Sequence, residues 1–315
     1  MVNSTSNSEI AISVVVPCYN ESEVLPHFID RMVKTCKLTK QKCEIIIIDD
    51  GSKDSTWPII VENSLSNKDI IGIKLSRNHG HQLALTAGLN YAKGDKILII
   101  DADLQDPPEL LMSMLELMAP DVDVVYGLRN NRLGESYFKK ISAFFFYRIL
   151  EYLSETRIPR DTGDFRLISR KALKVFLCMD EYHRFIRGMI SWVGFKQVPL
   201  SYEREARKAG ISKYPFAKMW IFALNAVTSF SIKPLRIASY IGFSLAIISL
   251  LVMCNIIMSY FKNHTAVQGW SSLIVIILLI GSLQLIVLGL IGEYLGRMYI
   301  ESKKRPLYII DKTTQ

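Results

Sequence analysis

The sequence predicts an α/β domain built on a mostly parallel sheet, followed by a two-helix membrane hairpin. Three observations predict it. Apolar strand-like runs alternate with helical patterns from Ile12 to Tyr126. Those runs are continuously apolar, as in parallel strands buried on both faces, rather than alternating. And the stretch from Ile237 to Gly292 is almost unbroken apolar sequence.

Ile12–Val16 is a β-branched run that ends at Pro17, and Asn20 with Glu23 three residues on reads as a helix-capping pair. Glu44–Ile48 is a second buried strand, running into Asp49-Asp50-Gly51-Ser52. Asp54–Ser66 reads as a helix, Ile70–Leu75 as a strand, and His79–Ala92 as a helix with Gly94 as its stop signal. Lys96–Ile100 is a further apolar strand leading into Asp101. Asp106-Pro107-Pro108-Glu109 has the order of a helix start, with Asp106 as the cap. Val122–Tyr126 is the next strand.

In such sheets ligands bind beyond the carboxyl ends of the strands. This places Pro17–Glu21, Asp49–Ser52 and Asp101–Asp106 at the site. Tyr137–Leu153 and Tyr214–Phe230 are amphipathic and suit the membrane interface; packing into the core is the alternative. Ile237–Phe261 is long enough to span a bilayer, and so is Ala266–Gly292, whose helix is placed at about 268–292. Lys and Arg cluster on both outer flanks, which puts the flanks, the catalytic domain and both termini in the cytoplasm. The expected division is 1–135, 136–231, a hairpin within 232–298, and a cytoplasmic tail at 299–315.

The formal charge of the 315-residue chain is +8, which favours anionic lipid or phosphate-bearing ligands. Nucleic acid is disfavoured, since no zinc spacing, recognition helix or aromatic-basic interleaving occurs. Five cysteines without a CxxC pair read as reduced thiols, and the polar N-terminus lacks a signal peptide.

The chemistry concentrates in Asp101-Ala102-Asp103-Leu104-Gln105-Asp106. Two carboxylates two residues apart on a sheet-edge loop suit a hard divalent cation, Mg²⁺ or Mn²⁺, held by Asp101 and Asp103. A solvated acidic turn is the bland alternative. His79 and His81 read as structural or polar lining. Neither glycine motif of a Rossmann dehydrogenase or a P-loop nucleotidase is present.

With Val15–Glu21, Ile48–Ser52 and Asp101–Asp106 in these contexts, the chain resembles the family 2 glycosyltransferases, whose nucleotide-sugar-binding fold is called GT-A. Asp161-Thr162-Gly163-Asp164-Phe165-Arg166-Leu167, Ala209–Tyr214 and the two apolar runs narrow the resemblance to polyisoprenyl-phosphate glycosyltransferases, such as bactoprenol glucosyltransferases and dolichol-phosphate mannose synthases. The resemblance implies that Pro17, Tyr19, Glu21, Asp49, Asp50, Asp101, Gln105 and Arg129 bind the nucleotide sugar. It implies a catalytic carboxylate at Asp164 or Asp161, with pairing of Asp164 to Arg166 as the alternative. Arg204, Arg207 and Lys213, on a basic loop, would bind the donor and lipid phosphates. The implied reaction is inverting transfer of a hexose, glucose from UDP-glucose above all, to undecaprenyl phosphate in a bacterial inner membrane, for O-antigen or other envelope glycosylation. GDP-mannose and UDP-GlcNAc are the alternative donors. A homo-oligomer, a tetramer by resemblance, is a further implication. A processive polysaccharide synthase is disfavoured by the missing QxxRW motif, and a non-catalytic nucleotide-sugar-binding protein by the intact acidic motifs.

Overall fold

The computed structural model describes residues 10–129, 162–203 and 269–315, together with part of 235–258. The chain divides into two compact units, Met1–Arg148 with Thr156–Met219 and Pro306–Gln315, and Ile149–Glu155 with Trp220–Arg305.

The first unit is a sheet of eight strands with flanking helices. In chain order the elements are β1 (Ile12–Cys18), α1 (Leu25–Leu38), β2 (Cys43–Asp49), α2 (Thr56–Ser66), β3 (Ile70–Leu75), α3 (His81–Tyr91), β4 (Lys96–Ile99), α4 (Leu111–Leu117), β5 (Val124–Arg129), β6 (Thr162–Ser169), α5 (Arg170–Leu177), α6 (Ile186–Trp192), β7 (Gln197–Tyr202) and β8 (Ile310–Thr313). The sheet order is β7-β5-β6-β4-β1-β2-β3-β8. β4, β1, β2 and β3 run parallel, in register Val14↔Ile45 and Val14↔Leu98. Val14, Ile46, Ile47, Ile48, Ile97 and Leu98 are all buried, so the apolar runs do form a sheet covered on both faces.

The second half departs from a uniformly parallel sheet. β6 runs antiparallel to both β4 and β5, and β8 antiparallel to β3. β8 comes from the segment expected as a tail: after the last helix the chain returns to add an edge strand to β3. Its four residues are exposed, so no apolar pattern announces it.

Two expected caps are corrected. α1 begins at Leu25 without a side-chain cap. Asn20 instead takes a left-handed backbone conformation, accepting from Lys53 N through its side chain at 2.9 Å and donating its N–H to Ser52 Oγ at 2.9 Å. Asp106 does not cap either. Pro107 holds the N-cap position of the short turn Pro108–Leu110 that leads into α4, and Asp106 is buried with other partners.

In the second unit α7 (Trp270–Ser302) is continuous over 33 residues, roughly 50 Å at 1.5 Å per residue. Leu279–Ser302 within it is long and apolar enough to cross a membrane. The described residues between 235 and 258 are also helical. One such spanning helix is found among the described residues, so a two-helix hairpin is not established. The amphipathic stretches Tyr137–Leu153 and Tyr214–Phe230 lie outside the described residues, as do Asp161, Arg204, Arg207 and Lys213.

Candidate active site

The expected motifs do converge at the carboxyl ends of the central strands. β1 ends at Cys18 and β2 at Asp49, in register with one another. The turn after β1 is laced to the turn after β2: Glu21 N–H donates to Thr56 Oγ1 at 3.0 Å and Ser22 N–H to Asp54 Oδ2 at 3.1 Å. Pro17, Tyr19 and Glu21 are thereby held against the Asp49–Ser52 turn.

Asp49 and Asp50 are both buried but differ in their partners. Asp50 receives the N–H of His79 at 2.7 Å and of Gly80 at 2.9 Å, one on each carboxylate oxygen. It therefore holds the loop that follows β3. Burial pushes its carboxyl up, against these two hydrogen bonds. Asp49 uses Oδ1 to accept Ser52 N–H at 2.9 Å, while its Oδ2 is buried and accepts no hydrogen bond among the described residues.

The acidic loop after β4 turns at Leu104, a non-glycine residue at φ 57°. Gln105 N–H donates to Asp103 Oδ1 at 3.1 Å, bending the loop into a tight turn. Asp101 Oδ1 is buried without a hydrogen bond among the described residues, and the nearest cation, His81 Nε2, lies 3.6 Å away. Burial, reinforced by Asp164, Asp103 and Asp106, pushes the Asp101 carboxyl up to about 6 despite His81.

Asp164, on β6, is buried amid four donors. Arg187 Nε reaches Oδ1 at 2.7 Å and Arg187 Nη2 reaches Oδ2 at 3.3 Å. His81 Nε2 and Gln82 Nε2 each approach Oδ2 at 3.2 Å. Burial alone favours the neutral acid, but Arg187 and His81 hold this carboxyl well below the usual range. Burial would likewise lower His81, yet Asp101 and Asp164 raise it to about 9, so it is cationic at neutral pH. The alternative pairing with Arg166 is not formed. Arg166 donates to the carbonyls of Asp164 at 3.3 Å and Gly163 at 2.9 Å.

Asp106, Tyr202 and Arg129 form a second cluster. The Tyr202 hydroxyl donates to Asp106 Oδ1, Arg129 Nη2 lies 3.5 Å from Asp106 Oδ2, and Arg129 Nε donates to Tyr202 Oη at 3.3 Å. Arg129 is thus engaged, although 22% of its side chain remains exposed for a ligand.

Sequence reasoning missed Gln82, Arg187 and Tyr202, and took His81 as structural or polar lining without naming its partners Asp164 and Asp101. Asp164 meets His81 across 83 residues and Arg187 across 23, so no short motif encodes the cluster. One local signal existed for His81. Gly80, at φ 97°, holds the N-cap position of α3 and sets His81 as the helix's first residue.

A family model for glycosyl transferase family 2 matches residues 13–177, which carry all three acidic motifs. The chain belongs to glycosyl transferase family 2. It is therefore a glycosyltransferase. Similar members include the uncharacterized glycosyltransferase YkcC of Bacillus subtilis, 45% identical over 96% of this chain and 94% of that protein. The bactoprenol glucosyl transferase of Shigella phage SfV is 40% identical over 96% of this chain and 99% of that one. Among solved structures, a mannosyltransferase from Pyrobaculum calidifontis, in complex with GDP-Man and Mn²⁺, matches with a TM-score of 0.45 at 18% identity. That match covers 80% of this chain and 81% of the other.

Proposed function

We propose that this family 2 glycosyltransferase moves a hexose, glucose from UDP-glucose, onto undecaprenyl phosphate at the cytoplasmic face of a bacterial inner membrane. The lipid acceptor is supported by near full-length similarity to bactoprenol glucosyl transferases. The exposed apolar surface of α7, including Leu285, Ile286 and Leu288, supports membrane anchoring. Attack by the lipid phosphate on the anomeric carbon inverts the configuration, so a UDP-α-sugar gives a β-linked product.

The observation that carries the reading is the buried Oδ1 of Asp101, which accepts no hydrogen bond among the described residues. Asp106 has Arg129 and Tyr202, and Asp164 has Arg187, His81 and Gln82. Asp101 has His81 at 3.6 Å, shared with Asp164, and a buried oxygen without a hydrogen bond among the described residues. A divalent cation fits that deficit. Among the described residues no three His, Cys, Asp or Glu side chains form a ready-made cage. Mg²⁺ and Mn²⁺ accommodate this, since one or two carboxylates with substrate phosphates and water complete their shells. Asp101 and Asp103 would hold the ion, which supplies charge neutralisation to the departing nucleoside diphosphate.

The protein's own groups would do the rest. Asp49 and Asp50 would serve the nucleotide end of the pocket from beneath its surface, Asp50 by holding the His79–Gly80 loop. Asp164, held ionised, orients the reacting sugar and stabilises positive charge at the anomeric carbon. It is not required as a base, because the acceptor phosphate is already anionic. Arg129 would take a phosphate oxygen with its exposed part. Arg204, Arg207 and Lys213 retain their proposed role as phosphate ligands, and Asp161 stays the alternative carboxylate.

The test is mass spectrometry of the lipid products formed by purified protein from undecaprenyl phosphate, Mg²⁺ or Mn²⁺, and UDP-glucose, UDP-GlcNAc or GDP-mannose. A hexosyl phospholipid from UDP-glucose is expected, with at least about 10²-fold less from Asp103→Ala. A different preferred donor would reassign the sugar. No glycolipid from any donor would overturn the reading.

A further inference from the structure

The loop after β3, Ser76–Gly80, is held from two directions. On the inner side, Asp50 accepts the N–H groups of His79 and Gly80 at 2.7 and 2.9 Å. Gly51, at φ +68°, lets this loop pack on it. A Cβ there would stand 2.5 Å from the Arg77 carbonyl carbon and 2.7 Å from Asn78 N. On the outer side the loop is gripped by the end of the chain: Ser76 N–H donates to Ile309 O at 2.9 Å.

That grip belongs to a larger seat. β8 pairs with β3 from Ile73↔Thr313 to Leu75↔Ile310, with an irregularity between Lys74 and Leu75. Thr314 N–H donates to Gly72 O at 3.0 Å and Gly72 N–H to Thr314 Oγ1 at 2.8 Å. Gln315 Nε2 donates to Lys68 O at 2.8 Å. The seat is fitted: a Cβ on Gly72 would stand 2.9 Å from Thr314 Cγ2 and 2.5 Å from Ile60 Cγ2. Tyr308, just ahead of the strand, has its hydroxyl near Asn90 on α3, the helix that carries His81 and Gln82 at its other end. The segment Tyr308–Gln315 therefore grips the loop that Asp50 organises, and approaches α3 only at the end away from His81 and Gln82.

We propose that Tyr308–Gln315 are positioning residues for the nucleotide half of the site, acting through β3 and the Ser76–Gly80 loop. The inference rests on the nucleotide-sugar reading above. β8 is exposed and buries little apolar area, so its contribution to overall stability is small beside that of the β1–β4 core. Its effect falls locally, on a loop whose N–H groups must stay aimed at Asp50. Losing it loosens donor binding while leaving the groups around Asp164 in place, so donor KM rises and kcat is spared.

The experiment compares the full chain in detergent with a chain truncated after Arg305 and with two point variants, Tyr308→Phe and Thr314→Val. UDP and GDP, each with Mn²⁺, are the binding probes in calorimetry. Hydrogen exchange follows the amides of His79 and Gly80, and steady-state transfer yields donor KM and kcat. Truncation is expected to raise nucleotide Kd and donor KM about tenfold, with kcat within about twofold. Faster exchange at His79 and Gly80 is expected with it, and each point variant should weaken binding about threefold. A peptide of residues 306–315 added in trans should restore much of the loss. If the truncated chain no longer melts cooperatively, the point variants decide, since each removes one hydroxyl and keeps the side-chain shape.

Unchanged Kd, KM and exchange in the point variants, or in a truncated chain that still folds, would overturn the inference and leave the functional reading standing. A full-length chain that binds neither nucleotide would overturn both.

Discussion

At the scale of single residues, the site turns on how three carboxylates are partnered. Asp106 and Asp164 each face an arginine, and Asp101 does not. Arg187 is therefore a positioning residue for Asp164: its two-point grip fixes the plane of the carboxylate, which a lysine cannot reproduce. Arg187→Ala is expected to lower kcat about 10²-fold, with Arg187→Lys in between and donor KM little changed. Steady-state kinetics beside a thermal melt would check this. An unchanged kcat in a folded Arg187→Ala protein would show that Asp164 needs no such orientation. The acidic motif was legible because both aspartates directly follow an apolar strand. Arg187 was not, because it lies in a segment without a motif and meets Asp164 only when α6 packs against β6. Asp106 was misread for a related reason. A single Asp before Pro-Pro satisfies the local rules for a cap, and only the folded sheet shows that β7 delivers Tyr202 to the same carboxylate.

At the scale of elements, β7 and the acidic loop are fastened to each other by that contact. Tyr202 lies edge-on to Phe165 of β6, with ring centroids 5.7 Å apart, and its hydroxyl reaches Asp106 at the end of the loop. Tyr202→Phe keeps the ring packing but leaves the buried Asp106 with one fewer donor. It is expected to cost about 1–3 kcal/mol of stability and to weaken Mn²⁺ activation by loosening the Asp101–Asp106 turn. Chemical denaturation and a Mn²⁺ titration of activity would measure the two effects. A Mn²⁺ midpoint equal to wild type would show that the fastening serves the fold alone. The strands from β1 to β5 could be read from the sequence to within a few residues, since buried parallel strands are unbroken apolar runs flanked by turn residues. β6 reads as a motif rather than a strand because Asp164 and Arg166 interrupt its apolar pattern. β8 is legible by no rule of burial: its backbone hydrogen bonds, not its side chains, decide its place.

At the scale of the whole molecule, a water-soluble donor site and a surface that water does not favour occur in one chain. The residues of α7 from Leu279 to Ser302 form a helix with no part of its most apolar window buried. Burying such a stretch in hydrocarbon stabilises by roughly 25 cal/mol for each Å² removed from water, far more than peripheral charge attraction alone supplies. The full-length protein is therefore expected to sediment with membranes and to remain there after washing with high salt and with alkaline carbonate, coming free only in detergent. Salt screens the attraction of a +8 chain for anionic lipid and so removes a protein held by charge, whereas an apolar span is indifferent to it. Release by salt or carbonate would show that α7 does not enter the bilayer. The acceptor would then have to be drawn out of the membrane to a soluble enzyme, a different mechanism from the one proposed here.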